Sequence, residues 1–310
     1  MTLPLTRRRF LSVTAGAASL LPFGLAARAA APDLYVWRGV ALGAEAVIRL
    51  PAGPNAERTA LAAAAEIARL ERIFSLTRED SSLSRLNSTG RLDAPDPDLL
   101  ACLTRAGQVH AATGGLFDAT VQPLWALYAT RGAAGGLPTE AEVAAAQRLT
   151  GWDRVRLDEA AVTLAPGMGL TLNGIAQGYV ADRVADLLTR AGLTQVLVNT
   201  GEYRALGSTP AGSPWPVELA QAGVIVPLAN RALATSSPLG TTFDPAGLVG
   251  HILDPRTGHP AAPRWAEVTV SAPEAAVADA LSTAACLMGS QDQIAAALTH
   301  FPGARVEAAV

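Results

Sequence analysis

The sequence predicts a domain built from both helices and strands, and three observations carry that expectation. Residues 55–74 place Leu61, Ala65, Ile67, Leu70 and Ile73 on one side of a helical wheel, the mark of a surface helix packed on a core. Residues 170–191 read as a strand, a glycine-bearing turn and a helix that Gly192 ends. Short apolar runs at 195–199 and 267–272 have the length and composition of buried strands. With 310 residues, half of them hydrophobic, the chain can bury one large core or two intimately packed lobes.

In chain order, residues 34–50 read as two strands turning at Gly43, ahead of the 55–74 helix. A polar stretch from Ser75 to Asn87 contains a short helix capped by Asp80 or Ser81 and ended near Ser88 and Gly90. Residues 96–113 form a helix with Leu99, Leu100, Leu103, Ala106 and Val109 inward. Gly114 and Gly115 break it and set Asp118 and Thr120 ahead of the Trp125 segment. Residues 131–137 read as a flexible loop, 139–149 as a helix, and 154–157 with 161–164 as a hairpin. After the strand at 195–199 come a polar turn at 200–204, strand-like residues 216–228, a strand at 232–237 ending in hydroxyls, and a helix from Glu274 to Met288.

A formal net charge of -3, with 16% charged residues, gives no electrostatic case for nucleic acid. The chain has no lysine, so arginine carries all its fixed positive charge. Thr6-Arg7-Arg8-Arg9-Phe10-Leu11 is a twin-arginine pattern, followed by an apolar run to Ala27 and an A-x-A site at Ala27-Arg28-Ala29. Residues 1–30 therefore read as an export signal, and residues 31–310 as one domain working in the periplasm. Gly16, Pro22 and Gly24 interrupt the apolar run, so no stable membrane anchor is expected after cleavage. The two cysteines, Cys102 and Cys286, both sit in apolar helical patterns, where buried thiols are the default and a disulfide stays open.

Three stretches carry chemistry. Gly250-His251-Ile252-Leu253-Asp254-Pro255-Arg256-Thr257-Gly258-His259-Pro260 is a stiff, turning loop, because Pro255 fixes its own φ and restricts Asp254. It aims an imidazole, a carboxylate and a guanidinium in set directions. Leu172-Asn173-Gly174-Ile175-Ala176-Gln177-Gly178 opens a helix with backbone N–H groups suited to phosphate, without the lysine of a Walker loop. Asp279 and Thr283 lie one helical turn apart in an otherwise apolar helix, where a lone carboxylate needs a partner or a metal. Two such oxygens suit a hard cation such as Mg²⁺.

Taken together, the motifs resemble the ApbE family of FAD:protein FMN transferases. They run in that family's order across nearly all of the mature chain: Ser82-Leu83-Ser84-Arg85-Leu86-Asn87, Gly115-Leu116-Phe117-Asp118-Ala119-Thr120-Val121 and Gly174-Ile175-Ala176-Gln177-Gly178-Tyr179 with Asp182, then Val198-Asn199, Ala234-Thr235-Ser236, His251 to Gly258, and Ala278-Asp279-Ala280-Leu281-Ser282-Thr283. The resemblance implies an α+β fold, with mixed or antiparallel sheets flanked by helices. It implies FAD as substrate and Mg²⁺ near the pyrophosphate, with metal ligands at Asp279, Thr283 and the backbone carbonyl at or near Gly174. It places FAD contacts at Asn87, Asp118, Asp182, Thr235 and Ser236, and His251 beside the diphosphate. Two departures mark a divergent member: Gln177 stands where the family commonly has lysine, and Thr200-Gly201-Glu202 replaces a Gly-Gly-Asp turn.

The implied reaction is phosphoryl transfer without ATP. A Thr or Ser hydroxyl of a target flavoprotein attacks the FMN-side phosphorus of FAD, and AMP leaves. His251 is the candidate base, or else a hydrogen-bonding group, while Arg256 is expected to brace Asp254 or a phosphate. Two other readings stay open on the sequence: an FAD pyrophosphatase with water as acceptor, and a non-catalytic periplasmic FAD-binding protein.

Overall fold

The computed structural model describes residues 33–262 and 264–310, so the export segment read at 1–30 lies outside the described residues. The chain opens with a hairpin of β1 (Leu34–Ala41) and β2 (Ala44–Pro51). Leu42 and Gly43 both take positive φ, as a two-residue hairpin turn requires. The amphipathic helix follows as α1 (Ala56–Phe74), burying Ile67, Leu70, Ile73 and Phe74. Next come α2 (Ser82–Thr89), capped by the Ser81 side chain on Ser84 N–H, β3 (Arg91–Asp93) and α3 (Pro97–Ala112).

A 3₁₀ turn (Ala119–Val121) leads into α4 (Gln122–Ala133), which takes up residues the sequence assigned to a loop. Behind α5 (Glu140–Gln147), the short β4 (Arg156–Leu157) and β5 (Ala161–Thr163) join β3 in a small sheet ordered β3-β5-β4. The helix after the glycine turn is α6 (Ala176–Arg190). The predicted strand before it does not form. Leu170 instead binds Asn87 through both its N–H and its carbonyl, and Thr171 N–H bonds to Ala119 carbonyl. The asparagine side chain stands in for a neighbouring strand.

The remaining elements are β6 (Val196–Asn199), β7 (Tyr203–Leu206), β8 (Trp215–Leu219), β9 (Val224–Leu228), β10 (Ala232–Ser236), β11 (Val268–Ala272), α7 (Ala275–Ala285), α8 (Gln291–Leu298) and β12 (Arg305–Ala309). The main sheet runs β1-β2-β6-β7-β10-β11-β12, and each of its pairings is antiparallel. The result is an α+β domain.

Strand alternation divides the core in two. Val196, Val198, Ala232 and Ala234 face the large core beneath α1, α6 and α7. Leu197, Tyr203, Ala205 and Leu233 point the other way, onto Trp215, Val217 and Leu228 of the β8–β9 hairpin. A third cluster joins Leu124, Tyr128 and Val143 of α4 and α5 to Phe243 and Leu253. That cluster anchors the long segment between β10 and β11, which carries His251. Cys102 and Cys286 are both buried free thiols, and burial lifts the Cys286 pKa to about 12.

Candidate active site

One cleft collects most of the chemistry. Its lining includes Phe117 and Asp118 ahead of α4, Asn173, Gly174 and Gln177 at the start of α6, Glu202 between β6 and β7, and Thr235 and Ser236 ending β10. His251 of the long segment and Asp279 and Thr283 of α7 complete it. Segments more than 150 residues apart in sequence therefore meet at one place.

The start of α6 sets the floor. Its N-cap residue, Ile175, offers no side-chain cap, and the Ala176 N–H donates to the Leu172 carbonyl instead. Gly174 has to be glycine for reasons of space: a Cβ there would stand 2.9 Å from Thr283 Oγ1 and 3.3 Å from the Phe117 ring. Its backbone thus lies directly against the Thr283 hydroxyl. Gly178, one turn on, is packed harder still, and its N–H donates to Asp279 Oδ2 at 3.1 Å.

Two carboxylates are buried in this cleft. Asp279 is 3% exposed and Glu202 is 5% exposed. Burial pushes Asp279 up to about 7, opposed by the Gly178 N–H bond and helped by the nearby Asp182 charge. Burial likewise raises Glu202 well above the usual carboxylate range, and the Asp279 charge raises it further. Thr235 N–H donates to Glu202 Oε2 at 3.2 Å. Ser236 Oγ lies 2.7 Å from Ser282 Oγ and 3.3 Å from Thr283 Oγ1, so hydroxyls run from β10 to α7 along one wall.

His251 lines the same cleft. Its Nδ1 lies 3.1 Å from the Thr241 carbonyl oxygen, so Nδ1 carries the proton of the neutral ring and Nε2 keeps its lone pair. Desolvation lowers its pKa below 6.5, with the carbonyls of Thr241 and Pro238 partly opposing the shift. A neutral imidazole near pH 7 can accept a proton. The loop behind it is rigid. Asp254 takes both Nε and Nη2 of Arg256, at 3.0 and 2.7 Å, and Gln147 Nε2 donates to the Arg256 carbonyl at 2.6 Å. Arg256 thus braces Asp254 and is absent from the cleft lining.

Of the residues singled out in the sequence, Asp118, Gly174, Gln177, Thr235, Ser236, His251, Asp279 and Thr283 line the cleft; Asn87 and Asp182 do not. Asn87 is spent on the Leu170 backbone. Asp182 accepts from Ala275 N–H at 2.8 Å and Ala276 N–H at 3.0 Å, holding the start of α7, and pairs with Arg204 at 3.2 Å. Its burial pushes it up to about 6 despite those donors. Asp118 lines the cleft while one of its oxygens accepts from both Thr120 N–H and Thr120 Oγ1, at 2.8 and 2.6 Å. Glu202 was not singled out as a site residue, although it sits in the turn flagged as unusual.

The donor set fits a hard divalent cation in chemistry, if not in number of carboxylates. Among the described residues, no three His, Cys, Asp or Glu side chains form a metal-holding group. The Asp279 carboxylate, the Thr283 hydroxyl and the closely approaching Gly174 backbone are nevertheless all-oxygen donors around one corner. Mg²⁺ takes such a set when a ligand phosphate and water complete it.

The fold is of the α+β class, and its cleft brings a helix start, two buried carboxylates and an imidazole together. The model of the ApbE family matches residues 42–306, and the chain belongs to that family. It is 30% identical over 237 residues to the FAD:protein FMN transferase of Haemophilus influenzae, covering 70% of this chain and 68% of that protein. It is 30% identical over 238 residues to the transferase of the same name from Vibrio cholerae, covering 72% and 71%. Among solved structures it is similar to the flavin transferase ApbE from Vibrio cholerae, with a TM-score of 0.74 and 26% identity over 86% of this chain and 91% of that one. The apo flavinyl transferase ApbE from Pseudomonas stutzeri gives 0.76 and 29%, covering 86% and 87%.

Proposed function

We propose that this chain transfers FMN from FAD to a Thr or Ser hydroxyl of a target flavoprotein, releasing AMP. The observation that carries the reading is the meeting of Asp279, Thr283, Gly174 and a neutral His251 in one cleft. The names of its relatives supply the substrate. In the reaction, the acceptor oxygen bonds to the FMN-side phosphorus, the bond between that phosphorus and the bridging oxygen breaks, and the bridging oxygen leaves with AMP. His251 Nε2 takes the acceptor proton, a role that contributes about 10²–10⁴-fold in rate.

Asp279, Thr283 and the Gly174 carbonyl would hold Mg²⁺, which when bound offsets the charge of the phosphoryl oxygens. The start of α6 would turn its positive dipole end to the diphosphate, with the Ala176 and Gly178 N–H groups already engaged by Leu172 and Asp279. Gln177 there offers a neutral amide rather than a cation, so charge compensation rests more heavily on the metal. Asp118, Thr235 and Ser236 orient the nucleotide. Asn87 and Asp182 act behind the cleft, fixing the Leu170 segment and the start of α7.

The chain is exported through the twin-arginine pattern at Arg7 and Arg8 and works in the periplasm. Exchanging both for Lys should keep the folded protein in the cytoplasm, and periplasmic accumulation of that variant would count against this route. The activity is tested by incubating the protein with FAD, Mg²⁺ and an acceptor domain and assaying AMP. Release that depends on the acceptor hydroxyl supports transfer, whereas equal release without acceptor identifies a pyrophosphatase.

A further inference from the structure

We propose that Glu202 is a second protein carboxylate for the divalent cation placed at Asp279, so the ion is held from both the β6–β7 turn and α7. The inference rests on the cation site of the proposed function and extends it to a residue outside the Asp279, Thr283 and Gly174 set.

Both side chains are more than nine-tenths buried and line the same cleft. Each commits one oxygen to a single backbone N–H, Glu202 Oε2 to Thr235 and Asp279 Oδ2 to Gly178. Among the described residues neither takes part in a salt bridge. Arg204, two residues from Glu202, is turned to Asp182 at 3.2 Å and to the Ala205 carbonyl at 2.9 Å. The chain has no lysine to supply a charge.

Buried carboxylates without a cationic partner are costly, and two in one cavity also repel. A positive ion from solution satisfies both. The neighbouring groups agree with that occupant. Thr235, which holds Glu202, is followed by Ser236, whose hydroxyl lies 3.3 Å from the Thr283 hydroxyl. Glu202, Ser236, Thr283 and Asp279 thus bring oxygen donors to the same cleft, as suits Mg²⁺ or Mn²⁺. The turn is shaped for it as well. Gly201 has φ +106, and its α-carbon is covered by the Gln177 amide, which a Cβ would meet at 2.4 Å.

The test is Mn²⁺ binding to the mature chain without FAD, followed by electron paramagnetic resonance of the free ion. Glu202→Gln removes one charge at constant shape and should weaken Mn²⁺ by about tenfold or more, since ligand charge count sets affinity in such sites. Glu202→Asp should recover part of the loss, and the melting temperature of each metal-free variant reports that it folds. Asp279→Asn separates the two levels of the argument. If it abolishes binding while Glu202→Gln matches wild type, Glu202 is no ligand and the Asp279 site stands. If neither substitution matters, the cation site itself is misplaced. A wild-type protein with no Mn²⁺ affinity in the absence of FAD also overturns the proposal, because two protein carboxylates should hold the ion unaided.

Discussion

Gly178→Ala attacks the joint on which the site depends. An ideal Cβ at Gly178 would sit 2.2 Å from the Ala275 carbonyl oxygen, 2.5 Å from its carbon and 2.7 Å from Ala276 N. Ordinary contact begins near 3.4 Å, and the obstacle is backbone, so the start of α7 must retreat by about 1 Å or more. Overpacking of this kind costs about 1–3 kcal/mol. The same retreat strains the bonds from Ala275 and Ala276 N–H to Asp182 and from Gly178 N–H to Asp279. Bonds to charged groups contribute about 1.5–3 kcal/mol each, so partial loss of all three brings the total to about 3–5 kcal/mol. At about 2–4 °C per kcal/mol for a chain of this size, the melting temperature should fall by about 10 °C. Urea unfolding and thermal melts of the mature protein measure both quantities. Gly53→Ala is the control, since a Cβ there meets nothing within 4 Å, and it should stay within about 0.5 kcal/mol of wild type. A Gly178→Ala protein within about 1 kcal/mol of wild type would show that the α6–α7 contact is not the rigid joint described here.

Three further outcomes are expected. His251→Asn should lower kcat by about 10²–10⁴-fold with little change in FAD affinity, and in the wild type the acid limb of the rate profile should lie below pH 6.5, because burial depresses this pKa; a limb above 6.5 excludes His251 as the base. Asp279 is raised from 3.8 to about 7, so the metal-free fold holds its proton more tightly than the unfolded chain does. That contribution is complete below about pH 4 and is lost as pH rises to about 7, so metal-free melts should decline across this window, Mg²⁺ should reverse the decline, and Asp279→Asn should make it shallower, with Glu202 and Asp182, whose pKa values burial also raises, supplying the rest. Gln177→Lys, titrated with FAD without Mg²⁺ by tryptophan quenching, should bind several-fold to about tenfold more tightly; unchanged affinity would mean that position 177 does not reach the phosphates.

Local signals were legible wherever a single segment decided its own structure. The helix expected at 55–74 forms as Ala56–Phe74, and the glycine turn does start a helix that ends at Arg190, with Gly192 at φ +83 just beyond it. Asp279 stood out because a carboxylate in an alanine-rich helix demands an explanation, and the cleft provides it. What stayed hidden depended on distant partners. Leu170 to Leu172 have a strand's composition, but Asn87 and Ala119 supply their hydrogen bonds and no sheet does. The four-residue β7 and the edge strand β12 are stabilised by neighbours rather than by their own pattern, and α8 spans only eight residues. Asn87 and Asp182 carry polar side chains whose commitment to backbone groups more than 80 residues away leaves no trace in local sequence. Glu202 looks like a surface turn residue until α7 is seen to face it.

The most direct measurement of the central claim is the intact mass of an acceptor flavoprotein domain after incubation with this protein, FAD and Mg²⁺. Transfer predicts a mass gain of one FMN phosphoester, one AMP released per label, and loss of the label when the acceptor Thr or Ser is replaced by Ala. Free FMN and AMP with an unlabelled acceptor, or bound FAD that is never cleaved, would contradict it.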